Sequence, residues 1–222
     1  MTAETGPRLD VEVATAAVSA ADPVMAEFVR RAGPYESRFG EGDYFGSLAR
    51  SIVFQQLAGR AASAILGRVV EAVGGRLTPE AVLATNPESL RAAGLSAAKA
   101  AAVIDLATKA SDGTVPLDGI DAFEDEEIIN RLTAVRGIGR WTAEMFLLFE
   151  LRRPDVWPVD DYGVRNGYGL IYGLPELIKP RDLRAAGDRF RPYRSLVAWY
   201  CWQAVRMARG QMIVPDSKAA DA

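Results

Sequence analysis

The sequence contains no histidine and only one cysteine. The lack of histidine excludes imidazole acid–base catalysis and metal sites with histidine ligands. The single cysteine, Cys201, has no partner within the chain, which excludes a disulfide framework and a cysteine-ligated cluster. We therefore expect a protein of the reducing cytoplasm whose chemistry depends on other side chains.

Long apolar runs are also missing. The N-terminus lacks the basic start and apolar core of a signal peptide, and no apolar run approaches the roughly 20 residues that span a membrane. The composition, with 49% hydrophobic and 25% charged residues, is ordinary for a globular protein, and 222 residues allow one large domain or two small lobes. We expect no membrane partner.

Excess positive charge is missing from the chain as a whole but present in one section. The net charge is −3, which argues against a basic coat over the whole surface. Residues 131–209 nevertheless contain 14 Lys and Arg against 8 Asp and Glu. This section is compatible with a nucleic-acid partner, although arginines on solvated helix surfaces would produce the same count.

Helix start and stop signals recur along the chain, whereas strand-like alternation is almost absent. Asp43 and Ser96 are suited to cap helices, and Thr78-Pro79 and Asn86-Pro87 open two short ones. This pattern predicts an all-α fold. We expect a mobile N-terminal segment over residues 1–20, a folded domain over 21–213 and a polar C-terminal tail over 214–222.

The segment "VRGIGRWTAEM", Val135 to Met145, places two glycines around Ile138 directly before a predicted helix. Glycine allows positive φ or a close approach of the backbone, and the first N–H groups of a helix favour an anion. The pattern therefore predicts an anion-binding hairpin. A short connection between two helices is the alternative that these residues alone leave open.

Four motifs in order along the chain extend this pattern. They are "SIVFQQLAGRAASAI", "LTAVRGIGRWTAEM", "WPVDDYGVRNG" and "FRPYRSLVAWYCWQ". Together they resemble the helix-hairpin-helix DNA glycosylase superfamily, and within it the 3-methyladenine DNA glycosylase II family of alkylation repair. The resemblance extends from Asp43 to Arg209. It implies an all-α, two-lobed helical bundle, with a helix-hairpin-helix DNA-binding motif at about 131–150 and the active-site cleft between the lobes.

The same resemblance implies an activity. A member of this family flips alkylated bases such as 3-methyladenine and 7-methylguanine out of duplex DNA and excises them by hydrolysis. It acts as a monomer and requires no cofactor. Because such bases already carry positive charge, they leave without a protein acid, which agrees with the absence of histidine.

Site residues follow from the matching motif positions. In the hairpin, the main-chain N–H groups of Gly137 and Gly139 are expected to face a DNA phosphate, with Arg140 and Thr142 as neighbouring DNA contacts. In "QQLAG", Leu57 is the expected wedge that fills the gap left by the flipped base.

Two further groups complement these contacts. Gln55 and Gln56 are the polar neighbours of the wedge, suited to meet the opposite base or the backbone. In relatives, main-chain carbonyls of the hairpin bind a monovalent cation, Na⁺ or K⁺, and the matching positions here are Thr133, Val135 and Ile138.

The adjacent carboxylates of "VDDYG" are expected to have different roles. Asp161 takes the position of the family's catalytic aspartate, which stabilises positive charge on the deoxyribose and orients water, whereas Asp160 is expected to cap the following helix. Trp141, Met145 and Trp202 match base-pocket positions, where aromatic faces suit a cationic base. Met145 replaces an aromatic residue of some relatives, which leaves the substrate range open.

Two alternative functions remain at this point. A glycosylase for other damaged bases with lyase activity would carry a lysine two residues after the second hairpin glycine. Trp141 occupies that position, and no lysine lies between Lys109 and Lys179. A non-catalytic helix-hairpin-helix DNA-binding module would need neither Asp161 nor an aromatic pocket.

Overall fold

The structure is a computed structural model and describes residues 6–36 and 43–210. These residues form twelve α-helices and two 3₁₀-helices and contain no β-strand, which confirms the all-α class. The α-helices are, in chain order, α1 (Val11–Ala21), α2 (Pro23–Ala32), α3 (Tyr44–Phe54), α4 (Gly59–Ala72), α5 (Pro79–Ala84), α6 (Pro87–Ala92), α7 (Ala97–Ser111), α8 (Asp125–Thr133), α9 (Arg140–Phe149), α10 (Tyr162–Tyr172), α11 (Pro180–Gly187) and α12 (Arg194–Ala208). The 3₁₀-helices cover Ile120–Ala122 and Asp188–Phe190. None of the α-helices in these ranges has the length and apolar character needed to cross a bilayer.

The helices divide between two compact units. The described part of the first unit comprises residues 6–8 and 43–153, and that of the second comprises residues 9–36 and 154–210. The first unit therefore contains α3 to α9, and the second contains α1, α2 and α10 to α12.

The predicted helix starts in the first unit are confirmed. Asp43 Oδ1 accepts a hydrogen bond from Gly46 N at 3.0 Å, and Ser96 Oγ accepts one from Lys99 N at 3.2 Å. Thr78 and Asn86 cap α5 and α6 in the same way, each followed by a proline in the first turn.

The N-terminal region corrects one prediction. Residues 1–20 were expected to be mobile, but Val11–Ala21 form α1, which begins at the N-cap Asp10. Ala14 and Val18 are buried in the core of the second unit, which gives the helix an apolar partner. Residues 1–5 and the predicted tail 214–222 lie outside the described residues.

The core of the second unit centres on α12, which is buried along most of its length. Helix α10 crosses it at Gly167, where an added Cβ would lie 1.9 Å from the carbonyl oxygen of Cys201. Glycine is therefore required for the two backbones to approach this closely. Phe28 of α2 contacts Tyr200 of α12 edge to face, with ring centroids 6.3 Å apart.

Candidate active site

The hairpin between α8 and α9 is anchored by two buried side chains. Val135 is 2% exposed and Ile138 is 4% exposed, and Ile138 N donates to Val135 O at 3.1 Å. Gly137 has φ of +79°, and an added Cβ would lie 3.3 Å from Ala102 Cβ. The turn thus needs glycine at 137. Gly139 has φ of −94° and open space where a Cβ would be, so the fold alone does not demand glycine there.

The hairpin is also tied to other parts of the first unit. Gln55 Nε2 donates to Gly137 O at 2.8 Å, and Arg136 N donates to Asp105 Oδ2 at 2.7 Å. Burial alone would raise the pKa of Asp105, but the Arg136 amide and the ammonium of Lys109 hold that pKa below its usual value. A charged carboxylate therefore holds the turn in place.

Two predicted DNA contacts at the start of α9 have defined surroundings. Arg140 forms ion pairs with Glu126 and Glu144, its Nε lying 3.1 Å from Glu144 Oε1, and the hydrogen bond to Glu126 raises the pKa of the guanidinium. Thr142 is 8% exposed, so its side chain faces the protein interior. Its backbone N–H, within the first turn of α9, is therefore the group suited to bind an anion.

The loop Gln55–Leu57, termed the wedge loop below, follows α3 directly. Leu57 is 40% exposed, so it does not belong to the core. Gln56 has φ of +57°, an uncommon conformation for a residue with a side chain. The Lys99 ammonium donates to Val53 O at 2.7 Å and to Gln55 O at 2.6 Å, which holds the end of α3 and the start of the loop.

Asp161, rather than Asp160, caps α10. Asp161 Oδ1 accepts a hydrogen bond from Val164 N at 2.7 Å, whereas Asp160 is exposed in the turn that precedes the helix. The prediction that Asp160 is the cap is therefore wrong. Either carboxylate fits the local cap pattern, so the sequence alone did not distinguish them. In the structure, a turn closed by the hydrogen bond from Asp161 N to Pro158 O, at 3.0 Å, precedes the helix, and Asp161 is its N-cap.

A second hydrogen bond orients Asp161. Trp202 Nε1 of α12 donates to the same Oδ1 at 2.9 Å. Gly163 makes room for this pair, since an added Cβ would lie 2.7 Å from Trp202 Cδ1 and 3.1 Å from Asp161 Oδ1. Burial, and secondarily the Asp161 charge, raise the pKa of the nearby Cys201 thiol, so the cysteine stays protonated.

The remaining predicted base contacts lie in the first unit. Trp141 is 52% exposed, which is not the environment of a core tryptophan. Met145 lines a cavity of about 270 Å³ between α3 and α9, together with Phe54 and Phe149. Across the described residues, no three His, Cys, Asp or Glu side chains are grouped to bind a metal ion.

The hairpin and Asp161 both lie within a stretch of the sequence that matches a known protein family. The family model described as "HhH-GPD superfamily base excision DNA repair protein" matches residues 49–192, more than half of the chain. The chain belongs to this superfamily. The resemblance drawn from the four sequence motifs is thereby confirmed.

Proteins similar to this chain include enzymes named for 3-methyladenine. DNA-3-methyladenine glycosylase 1 of Schizosaccharomyces pombe is 33% identical over 167 residues, which cover 74% of this chain and 73% of that protein. The crystal structure of DNA-3-methyladenine glycosidase from Bacillus halodurans matches with a TM-score of 0.83 at 35% identity, over 88% of this chain and 91% of that one. The S. pombe enzyme in complex with abasic DNA matches with a TM-score of 0.74 at 33% identity, over 86% and 95% of the two chains.

Sequence reasoning missed three residues that shape this HhH-GPD site. Lys99 and Asp105 hold the wedge loop and the hairpin, and Gly163 makes room for the Asp161–Trp202 pair. Each acts on a residue far away in sequence or through the absence of a side chain, so no local motif identifies it.

Proposed function

We propose that this chain is a monofunctional DNA glycosylase that removes alkylated bases, of the 3-methyladenine and 7-methylguanine type, from duplex DNA by hydrolysis. The observation that carries the proposal is the Asp161 carboxylate, whose Oδ1 is held by Val164 N at 2.7 Å and Trp202 Nε1 at 2.9 Å. The relatives named for 3-methyladenine support the choice of substrate class. We further propose that the protein acts as a monomer.

Asp161 is the proposed catalytic residue. Breaking the bond between base and sugar builds positive charge on the deoxyribose, and a carboxylate fixed in advance stabilises that charge without reorganising. The same carboxylate orients the attacking water and accepts its proton. The two structural hydrogen bonds to Oδ1 hold the carboxylate in place for this role.

Two elements of the first unit, the hairpin with the start of α9 and the wedge loop, are the proposed DNA contacts. The N–H groups of Gly137 and Gly139 in the hairpin, with that of Thr142 in the first turn of α9, bind a phosphate, assisted by the helix dipole. Leu57 of the wedge loop, 40% exposed, enters the space that the flipped base leaves, with Gln55 and Gln56 beside it. The Arg140 side chain, paired with two glutamates, contributes less charge to DNA than its sequence position suggested.

The base-contacting role of Trp202, Trp141 and Met145 is likewise a proposal. The Trp202 indole is oriented by its bond to Asp161, so an aromatic face accompanies the carboxylate. A cationic base is attracted to such a face by roughly 0.5–2 kcal/mol. Trp141, exposed on the first unit, offers a second face of this kind.

A monovalent cation is proposed at the carbonyls of Thr133, Val135 and Ile138. Carbonyl oxygens are suitable ligands for a hard cation, and Val135 O, which accepts one hydrogen bond from Ile138 N, has a second lone pair for it. Bound there, the ion would supply positive charge to the phosphate contact. Its effect would appear as a dependence of DNA affinity on K⁺ or Na⁺ at constant ionic strength.

An excision assay on a panel of duplexes tests the proposed function. Each duplex carries one lesion: 3-methyladenine, 7-methylguanine, ethenoadenine, hypoxanthine or 8-oxoguanine. We expect release of the free methylated bases, with the strand intact until hot alkali is added. Binding of all duplexes without release of any base would instead support the non-catalytic DNA-binding module.

A further inference from the structure

One face of helix α7 contacts both elements that the proposed function assigns to DNA. Lys99 donates to the carbonyls of Val53 and Gln55, at the end of α3 and the start of the wedge loop. Six residues later, Asp105 accepts from Arg136 N in the hairpin. Between them, Ala102 Cβ lies against the position of Gly137.

The hydrogen bonds of Lys99 hold the end of α3 and the start of the wedge loop in place. The side chain is half-buried, burial lowers the pKa of its ammonium, and two of its three N–H donors bind carbonyls at 2.7 Å and 2.6 Å. A cation at the last carbonyls of α3 is favoured by the helix dipole. Both bonds are to the main chain, so they fix the backbone at the start of the wedge loop and do not depend on which side chains the loop carries.

The wedge loop needs such support because its backbone is unusual. Gln56 is in the left-handed region with φ of +57°, a conformation that surrounding contacts must hold in place for a residue with a side chain. On one side of Gln56, Lys99 holds the Gln55 carbonyl. The Gln55 side chain reaches the hairpin at Gly137 O. Leu57, on the other side, is then presented outward with 40% of its surface exposed.

We propose that Lys99 is a positioning residue for base flipping, which presents Leu57 at a fixed place relative to the hairpin. The proposal rests on the proposed glycosylase function. It predicts that Lys99 matters where a base must be extruded from a stacked duplex and matters little where stacking is weak. Lys99 acts through the wedge loop and does not contact the reacting sugar.

The test compares Lys99→Met with a matched control, Arg68→Met. Arg68 Nε donates to Ala93 O at 2.9 Å, so it is also a cation bound to a carbonyl at the end of a helix. That helix is α6, and it is not followed by a residue that the proposed function assigns to DNA. Single-turnover excision of one methylated base is measured in duplex and in single-stranded DNA. We expect Lys99→Met to lose about tenfold in duplex, comparable to the coupling between residues of one network. The loss on the single strand should stay within about threefold, and Arg68→Met should excise from both substrates like wild type.

A double-mutant cycle identifies the route of the effect. If Lys99 acts through Leu57, adding Lys99→Met to Leu57→Ala costs little further duplex activity, because the side chain that it positions is already gone. Flipping is also followed directly by the fluorescence of 2-aminopurine placed next to the lesion, which should rise less with Lys99→Met than with wild type.

The outcomes separate the two proposals. Equal losses on single and double strands, or full additivity with Leu57→Ala, would show that Lys99 only stabilises the first unit and would overturn the positioning role. No excision by the wild-type protein from either substrate would overturn the proposed function, and this inference with it. Retained single-strand activity shows that the variant is folded.

Discussion

Asp161 has a structural and a proposed chemical task within one side chain. Its Oδ1 caps α10 through Val164 N and also accepts from Trp202 Nε1. An N-cap bond typically contributes about 1 kcal/mol, so the cap alone would explain an aspartate here. The hydrogen bond from the Trp202 indole restricts the orientation of the carboxylate further. A catalytic carboxylate needs this added constraint, because it must be held in one orientation toward the reacting atoms.

The Asp161→Asn substitution separates the two tasks. The asparagine side-chain oxygen still accepts both hydrogen bonds, so the fold and DNA binding should persist. The negative charge that stabilises the sugar is lost, and single-turnover excision should fall by about a hundredfold or more. The exposed Asp160, changed to Asn as the control, should remain close to wild type. An Asp161→Asn rate within threefold of wild type would refute the catalytic assignment.

Gly163 allows a test of geometry without a change of charge. In Gly163→Ala, the added Cβ would lie 2.7 Å from Trp202 Cδ1, so the indole must move and its bond to Asp161 is strained or lost. Misplacement of a catalytic group by about 1 Å costs up to roughly a hundredfold, and we expect a loss of tenfold or more in excision. Alanine favours a helix over glycine by about 0.5–1 kcal/mol, so stability should fall less than activity.

The matched control is Gly169→Ala in the same helix. There an added Cβ meets Leu174 Cβ only at 4.0 Å, an ordinary contact, so both excision and thermal stability should be preserved. Full activity of Gly163→Ala would mean that Trp202 shifts without disturbing Asp161, and the positioning role of the indole would be abandoned.

At the scale of elements, local signals predicted the helices whose starts depend on their own residues. Asp43, Thr78, Asn86 and Ser96 cap helices as predicted because an N-cap bond spans only two or three residues. Helix α1 was not predicted. Its apolar residues are mostly alanine and valine, and its stability comes from packing on the core of the second unit, which a single segment does not reveal.

The candidate site divides in the same way, into features that local motifs predict and contacts that depend on distant residues. The motifs predicted the hairpin that lies between α8 and α9. They did not predict the bond from Trp202 to Asp161, which joins residues 41 positions apart, or the bond from Gln55 to Gly137, which joins residues 82 apart. Such partners depend on how helices pack rather than on spacing. The N-cap of α10 is a smaller case, in which a one-residue uncertainty in the helix boundary assigned the cap to Asp160 instead of Asp161.

The hairpin glycines provide a prediction at this scale, because their conformations differ. Gly137→Ala forces a side chain into φ of +79° near Ala102 and should lower the free energy of unfolding by about 1–2 kcal/mol. Gly139→Ala keeps an allowed backbone and should change that free energy by less than about 1 kcal/mol. Its methyl group, however, lies where the proposed phosphate approaches, so DNA affinity should fall.

Urea unfolding and fluorescence anisotropy with an abasic duplex measure the two quantities separately. Unchanged DNA affinity in Gly139→Ala would show that no phosphate approaches this end of α9, which would withdraw the proposed anion contact. Equal losses of stability in the two variants would contradict the assignment of different roles to the two glycines.

At the scale of the whole molecule, the basic section has less free charge than its composition suggests. Arg131 pairs with Glu127 at 2.6 Å, and Arg153 pairs with Asp125 at 3.2 Å in the first unit. In the second unit, Arg194 lies 2.7 Å from Asp155. These pairs neutralise arginines with acids that lie partly outside the basic section. DNA binding by this protein should therefore depend on backbone N–H groups as well as on arginine charge.

The small number of lysines in the sequence bears on the reaction product. The whole sequence has four: Lys99, Lys109, Lys179 and Lys218. A lyase needs a free amine that attacks C1′ of the sugar, displaces the base and forms a Schiff base. In the first unit, where Trp141 occupies the position of the lyase lysine, both lysines have partners: Lys99 is bound to two carbonyls, and Lys109 is paired with Asp105 at 2.6 Å.

We therefore expect water directed by Asp161 to be the nucleophile and an intact abasic site to be the product. Borohydride added during turnover on a 3-methyladenine duplex should trap no covalent protein–DNA adduct, because no imine forms for it to reduce. A bifunctional glycosylase acting on its own lesion under the same conditions controls for the trapping. An adduct that persists in Asp161→Asn and disappears when a single lysine is replaced would identify that lysine as the nucleophile, and hydrolysis by Asp161-directed water would then be the wrong mechanism.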